Sequence, residues 1–292
     1  MARAMSVAGT RPASRRPFTW GRLGLWVGIL LMLILVLLPL AYMLSASFTP
    51  ESLVQQWPIV PWPRAITLDN YRDLFNQPDV YLGRWFINSL LISGGTTLLV
   101  VTLSAITAYG FARLQFPGRD VLFYICLSTL LIPFQTTLLP IYLMMRATHL
   151  LNTYWSIILP PLASVFGTFL LRQFFLSFPR ELEEAAIVDG CNKLSVLWRI
   201  ILPNSGSALS ALALLTFLGS WNDVFWPLIA LSDQQMYTLP VGLALLNGEY
   251  GGTPGPGLGM AAAVIGTSSI LVFYLIFQRH IVQGVTTTGL KG

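Results

Sequence analysis

His149 and His280 are the only histidines in this chain and Cys126 and Cys191 its only cysteines, with twelve carboxylates spread over 292 residues. A metal site or histidine relay needs such groups gathered in one cleft. The apolar stretches between them place the two histidines on opposite sides of a membrane, Cys126 inside a span and Cys191 in a loop. No metal site, no cofactor and no disulfide is therefore expected. Residues 250–260, YGGTPGPGLGM, hold five glycines and two prolines but no lysine, so they lack the G-x-x-x-x-G-K-[ST] cradle for nucleotide phosphates. The chain is not expected to hydrolyse ATP itself.

Two stretches remain in which polar groups are concentrated. The first is ELEEAAIVDGCNKLSVLWRIILP, residues 181–203, with six charges in 23 residues. Glu181, Glu183 and Glu184 suit the positive end of a helix dipole, Pro179 pre-sets its first turn, and Asp189-Gly190 is a turn signal. A second helix is expected from about Asn192, with Leu194, Leu197, Trp198 and Ile201 together, ending at Leu202-Pro203. The acids read as surface and helix-end charges rather than a glycosidase pair. Each charge would cost about 2.5 to 3.5 kcal/mol at the centre of a spanning helix, so this hairpin belongs in water. Docking of a cytoplasmic subunit fits it better than lying in the headgroup plane. Leu182, Ala185, Ala186 and Asp189 form the small-residue face expected to meet that subunit.

The second stretch is FLGSWNDVFWPLIALSDQQ, 217–235, in which Asn222 and Asp223 stand beside Trp221, Phe225 and Trp226. Polar groups within spans face a path or a bundle interior, while tryptophans also form interfacial belts. Helix capping and helix–helix glue, or a direct role of Trp221, Asn222, Asp223 and Trp226 in a solute path, both fit these residues.

The elements that must position these groups follow from composition. The chain is 54% hydrophobic and 10% charged, against about 25% charged for soluble domains. Its net charge of +5 is not a nucleic-acid signal, because of where the charges lie. About 20 apolar residues cross a bilayer, and six stretches qualify: 23–46, 86–112, 121–145, 154–171, 205–231 and 258–277. The first is longer than a signal-peptide core and is expected to be a retained anchor. An all-α membrane protein of six helices is predicted, with the 179–203 hairpin between the fourth and fifth. With the N-terminus inside, Lys and Arg divide 13 inside to 4 outside, which fits the positive-inside rule and puts both termini in the cytoplasm.

The largest outer loop, 47–85, carries Pro58, Pro61 and Pro63 among Trp57 and Trp62, which suggests an extended lip, and TLDNYRDLF starts a short helix capped by Thr67 or Asp69. It serves as a connector, as a lid, or as the contact for an external partner. The small residues of the second span suit close packing inside a bundle. Pro133, Pro140, Pro160 and Pro161 bend the third and fourth spans, for packing or to shape a path.

EEAAIVDG, then nine residues, then IILP resembles the EAA loop of the inner-membrane permease subunits of bacterial ABC importers, with Glu184, Ala185, Ala186, Gly190, Ile200, Leu202 and Pro203 at the motif positions. WNDVFWPLIAL (221–231), AYGFARL (108–114) and FQRHIVQGVTTTGLKG (277–292) are similar to the smaller membrane subunit of the maltose-type carbohydrate permeases. The likeness runs from about residue 20 to the end. It implies a type-1 transmembrane domain over 23–292 after a cytoplasmic extension, 1–22. It further implies a second homologous permease subunit, two cytoplasmic ATP-binding subunits and an external sugar-binding protein. Glu184 and Gly190 would then carry the charged contact and the turn at the ATPase, with Ala185 and Ala186 permitting close fit beside Asp189. The alternatives are an ion-coupled secondary carrier, for which Asp223 is the only acid well inside a predicted span, or an ABC permease for a non-sugar solute.

Overall fold

A computed structural model of the chain describes residues 20–54, 56, 62, 63, 65–246 and 255–289, with side chains between 24 and 275. The N-terminal extension, most of the Pro/Trp lip, the start of the glycine-rich loop and the side chains of the C-terminal tail, including His280, lie outside the described residues. Those that are described form helices, with no strand among them.

The helices in chain order are α1 (Trp20–Ser47), α2 (Glu51–Val54), α3 (Asp69–Asn76), α4 (Leu82–Arg113), α5 (Arg119–Ser128), α6 (Phe134–Ala147), α7 (Tyr154–Ile158), α8 (Val165–Leu176), α9 (Glu181–Val188), α10 (Lys193–Val196), α11 (Leu202–Asn204), α12 (Gly206–Asn222), α13 (Phe225–Ala230), α14 (Leu239–Leu246) and α15 (Pro256–Gly289). Three stretches are long and apolar enough to cross a membrane unbroken: Gly24–Ser47, Leu82–Arg113 and Pro256–Leu275. Three further pairs meet the same test only as bent units, which brings the number of spans to as many as six. This is a multi-pass membrane protein.

The sequence-predicted third span is not one helix. Residues 119–131 and 134–147 meet at 100°, because Pro133 holds the preceding Ile132 in extended backbone (ψ 115°) and lacks the N–H that would continue the hydrogen-bond ladder. The fourth bends by 45° past Pro160 and Pro161. The expected fifth span, 205–231, is also divided: α12 stops at Asn222 and α13 starts afresh at Phe225. At its other end an 81° bend at Ser205 separates α12 from the hairpin helices. The short outer helix is present as α3, where the Thr67 hydroxyl oxygen accepts from the Asp69 N–H at 3.1 Å.

α4 is the central post. α8 and α12 pack along it, and it buries Asn88, Ser89, Ser93, Thr96 and Ser104 among its apolar residues. Small side chains allow backbones to approach where lipid provides little hydrophobic drive. Asn88 works as a clamp in its N-terminal part: its Nδ2 donates to the carbonyls of Gln235 and Tyr237, both at 2.9 Å, and its Oδ1 accepts from the Tyr154 hydroxyl at 2.7 Å. One bundle end is filled by Tyr109, Leu171, Phe175, Leu197, Ile201 and Leu212, the other by Leu74, Trp85, Trp221, Leu239 and Ala261. α1 rests mainly on α15 and exposes its leucines along its length.

Candidate functional site

The hairpin forms as its sequence dictates and is locked by groups far along the chain. Three glutamates sit in the first turn of α9, at the positive end of its dipole. Its C-terminus closes in a Schellman arrangement: Gly190 N–H donates to Ile187 O at 3.0 Å and Cys191 N–H to Ala186 O at 2.9 Å. Gly190 adopts φ +88°, the left-handed region a side chain disfavours. Asn192 caps the next helix by accepting from Ser195 N–H at 2.8 Å. A π turn over Leu197–Ile201 follows before Pro203.

Of the sequence-predicted docking residues, Glu184, Ala185, Asp189, Gly190 and Pro203 are exposed. Ala186, Ile200 and Leu202 instead pack against the core beside Phe175 and Leu197. The face expected to gather Leu182, Ala185, Ala186 and Asp189 is thus divided, with Ala186 turned inward. The second helix departs from expectation too: Leu197 and Ile201 are fully buried, whereas Leu194 and Trp198 are exposed. An exposed apolar set of Leu182, Ile187, Val188, Leu194 and Trp198 is left on the hairpin.

Sequence reasoning missed the anchor. Glu183 is buried and its Oε1 lies 2.8 Å from Arg113 Nε at the end of α4, both side chains being nearly inaccessible. Neither atom makes an aligned hydrogen bond, so the attraction is Coulombic. Arg113 Nη2 also donates to the carbonyls of Phe175 and Phe178, each at 2.7 Å, which closes the C-terminal end of α8. One guanidinium therefore ties α4, α8 and the hairpin together. Burial raises the Glu183 carboxyl above its ordinary 4.5 even though Arg113 pulls it down. The only sequence signal was Arg113, one residue before the end of the AYGFARL stretch.

The second polar stretch lies at the break between α12 and α13. Asp223 Oδ1 accepts from Phe225 N–H at 3.0 Å and Trp226 N–H at 3.4 Å, so the carboxylate caps α13. Asn222 Nδ2 donates back to Leu218 O at 2.8 Å, and Trp226 Nε1 donates to Ser156 O at 2.8 Å. Asn222, Asp223 and Trp226 line a cavity of about 610 Å³ with Thr96, Thr137, Thr216, Ser220, Phe134 and the Pro160-Pro161 turn. That volume falls within the range of small-molecule sites, roughly 300 to 1,000 Å³. Trp221 lies apart from it, 1% exposed and packed on Phe217, Phe273 and Phe86. No group of three potential metal ligands occurs among the described residues.

The chain as a whole is similar to known proteins. Residues 100–287 match the model of the family described as binding-protein-dependent transport system inner membrane component. The chain is 35% identical over 270 residues to the arabinooligosaccharides transport system permease protein AraQ of Halalkalibacterium halodurans, covering 92% of this chain and 96% of that protein. It is 32% identical over 273 residues to the trehalose/maltose transport system permease protein MalG of Thermococcus litoralis, covering 93% and 97%. Its fold matches a chain of a bacterial ABC transporter involved in the import of the acidic polysaccharide alginate, with TM-score 0.77, 23% identity and coverage of 90% and 99%. The family match over residues 100–287 and the full-length similarity to these permeases show that the chain belongs to the family of binding-protein-dependent transport system inner membrane components.

Proposed function

We propose that this chain is one membrane subunit of an ATP-driven importer that receives a carbohydrate from an external binding protein and passes it across the bilayer. The observation that carries the reading is full-length similarity to permeases named for arabinooligosaccharides and for trehalose/maltose. The cavity at the Asp223 break supports it, since hydroxyl, carboxamide and carboxylate groups beside aromatic rings suit a polyol. In this reading the chain crosses the membrane six times with both termini in the cytoplasm, the first two bent pairs each counting as one span and α12 with α13 forming the fifth, while the hairpin stays outside the bilayer.

The 179–203 hairpin couples the subunit to its ATPase. Glu184, Ala185, Asp189 and Gly190 offer the outward contact with Val188 beside them, and Pro203 joins the hairpin to α12. The inward Ala186, Ile200 and Leu202 brace it against the bundle. A second permease subunit and two ATP-binding subunits complete the assembly.

Uptake by a strain lacking this chain tests the substrate class. Labelled oligosaccharide uptake should be lost while amino-acid and phosphate uptake stay intact; the reverse pattern rejects the reading. Single cysteines at positions 10, 65, 185, 245 and 288 test the topology. A membrane-impermeant thiol reagent should reach only 65 and 245 in intact cells, and labelling at 10 or 288 would overturn the six-span arrangement.

A further inference from the structure

We infer that the cavity at the Asp223 break sorts solutes by charge, admitting uncharged or cationic polyols and turning anionic ones away. The inference deepens the carbohydrate reading by naming which carbohydrates fit, and rests on it for the word carbohydrate alone.

The wall of the cavity contains one carboxylate and no lysine, arginine or histidine. Asp223 makes no ion pair among the described residues, whereas Glu183 and Asp120 each face an arginine. Its Oδ1 is held by two backbone N–H groups, and its Oδ2 has no hydrogen-bond partner among the described residues. The charge is therefore fixed in place and locally uncompensated. In surroundings of low dielectric such a charge acts over many ångströms with little screening. A uronate or sulfated sugar entering here would meet that field without the guanidinium or ammonium group that usually binds its anion.

A neutral polyol meets the opposite situation. Sugar hydroxyls can donate to Asp223 and Asn222, while the half-exposed Phe134 ring presents apolar surface to a pyranose face.

The field is measurable without knowing the solute. In the assembled transporter, with Cys126 and Cys191 replaced by serine, Ser220→Cys places a thiol on the cavity wall. Its rate of modification by a cationic trimethylammonium-ethyl methanethiosulfonate is compared with that by the anionic sulfonatoethyl analogue. Any effect of the local field on thiol ionisation cancels in the ratio. With Asp223 in place the cationic reagent should react at least about tenfold faster than the anionic one, relative to their rates with a free thiol. Asp223→Glu should keep that preference. Asp223→Asn, which retains an oxygen to cap α13, should bring the ratio to about one. A ratio near one with Asp223 present, or one that Asp223→Asn leaves unchanged, overturns the inference. If uptake assays find an amino acid in place of a sugar, the carbohydrate reading falls while the reagent ratio still decides the charge selection.

Discussion

Glu183 and Asp223 are both carboxylates in a chain poor in charge, and the structure treats them in opposite ways. Glu183, at the hairpin, is buried against Arg113, whose guanidinium also closes the end of α8. Asp223, at the helix break, has two backbone N–H groups but no cation among the described residues, and it borders a cavity. A paired, buried charge holds elements in register. An unpaired one beside open volume is left free to act on whatever enters.

The comparison is broken most severely by removing the cation. Arg113→Ala leaves the Glu183 carboxylate buried and alone and frees two carbonyls, with an expected loss of about 3 to 5 kcal/mol. A large fall in the thermal midpoint of the purified transporter checks it, and Arg113→Leu with Glu183→Leu should regain much of the loss. Gly190→Leu comes next, at about 1 to 2 kcal/mol, because it puts a side chain on left-handed backbone. A Cβ there meets open space, so the penalty is conformational and Gly190→Asn should be milder. Solute-stimulated ATP hydrolysis should fall with the leucine variant, and full stimulation would remove the coupling role from the hairpin.

Asp223→Ala should cost about 1 kcal/mol by uncapping α13, less than the change at Arg113, while impairing transport more than stability. Equal losses in both measurements would erase the distinction between the two carboxylates. A smaller effect concerns pH. Burial raises Glu183, so the native state holds its proton more tightly than the unfolded chain, and stability is lost as pH rises from 4.5 through the native value. Glu183→Gln should flatten that part of the midpoint-against-pH profile. The smallest expected change in stability is from Thr96→Val, within about 0.5 kcal/mol, because the hydroxyl gives up no partner among the described residues. The thermal midpoint of the variant checks it.

Local signals were legible in the sequence. Asp189-Gly190 announced its turn and Asn192 the start of the next helix, because both act within a few residues. The apolar lengths likewise pointed to the membrane. Contacts that depend on distant partners were not legible: Glu183 and Arg113 are 70 positions apart, and nothing near either names the other. Ala186 was read as a docking surface because alanine marks close packing without saying against what, and here the neighbour is the chain's own core. Asp223 was weighed both as a cap and as a path residue. The structure shows the cap and puts the residue at a cavity, while Trp221, two positions earlier, turns the other way into an aromatic cluster.

The contrast between α1 and α4 bears on how the chain is made. α1 has mean hydropathy 2.8 and almost no dependence on neighbours, so it is stable in lipid as soon as it emerges from the ribosome and insertion machinery. α4, at 1.8, carries Asn88, Ser89, Ser93, Thr96 and Ser104 on faces that later helices cover. Asn88 alone relies on carbonyls at 235 and 237, synthesised about 150 residues afterwards. The early helix is an anchor and the central one a debtor to the end of translation. Nascent chains halted after residue 150 should therefore keep α1 in the bilayer while α4 stays crosslinkable to the insertion machinery, until the segment through residue 246 has followed.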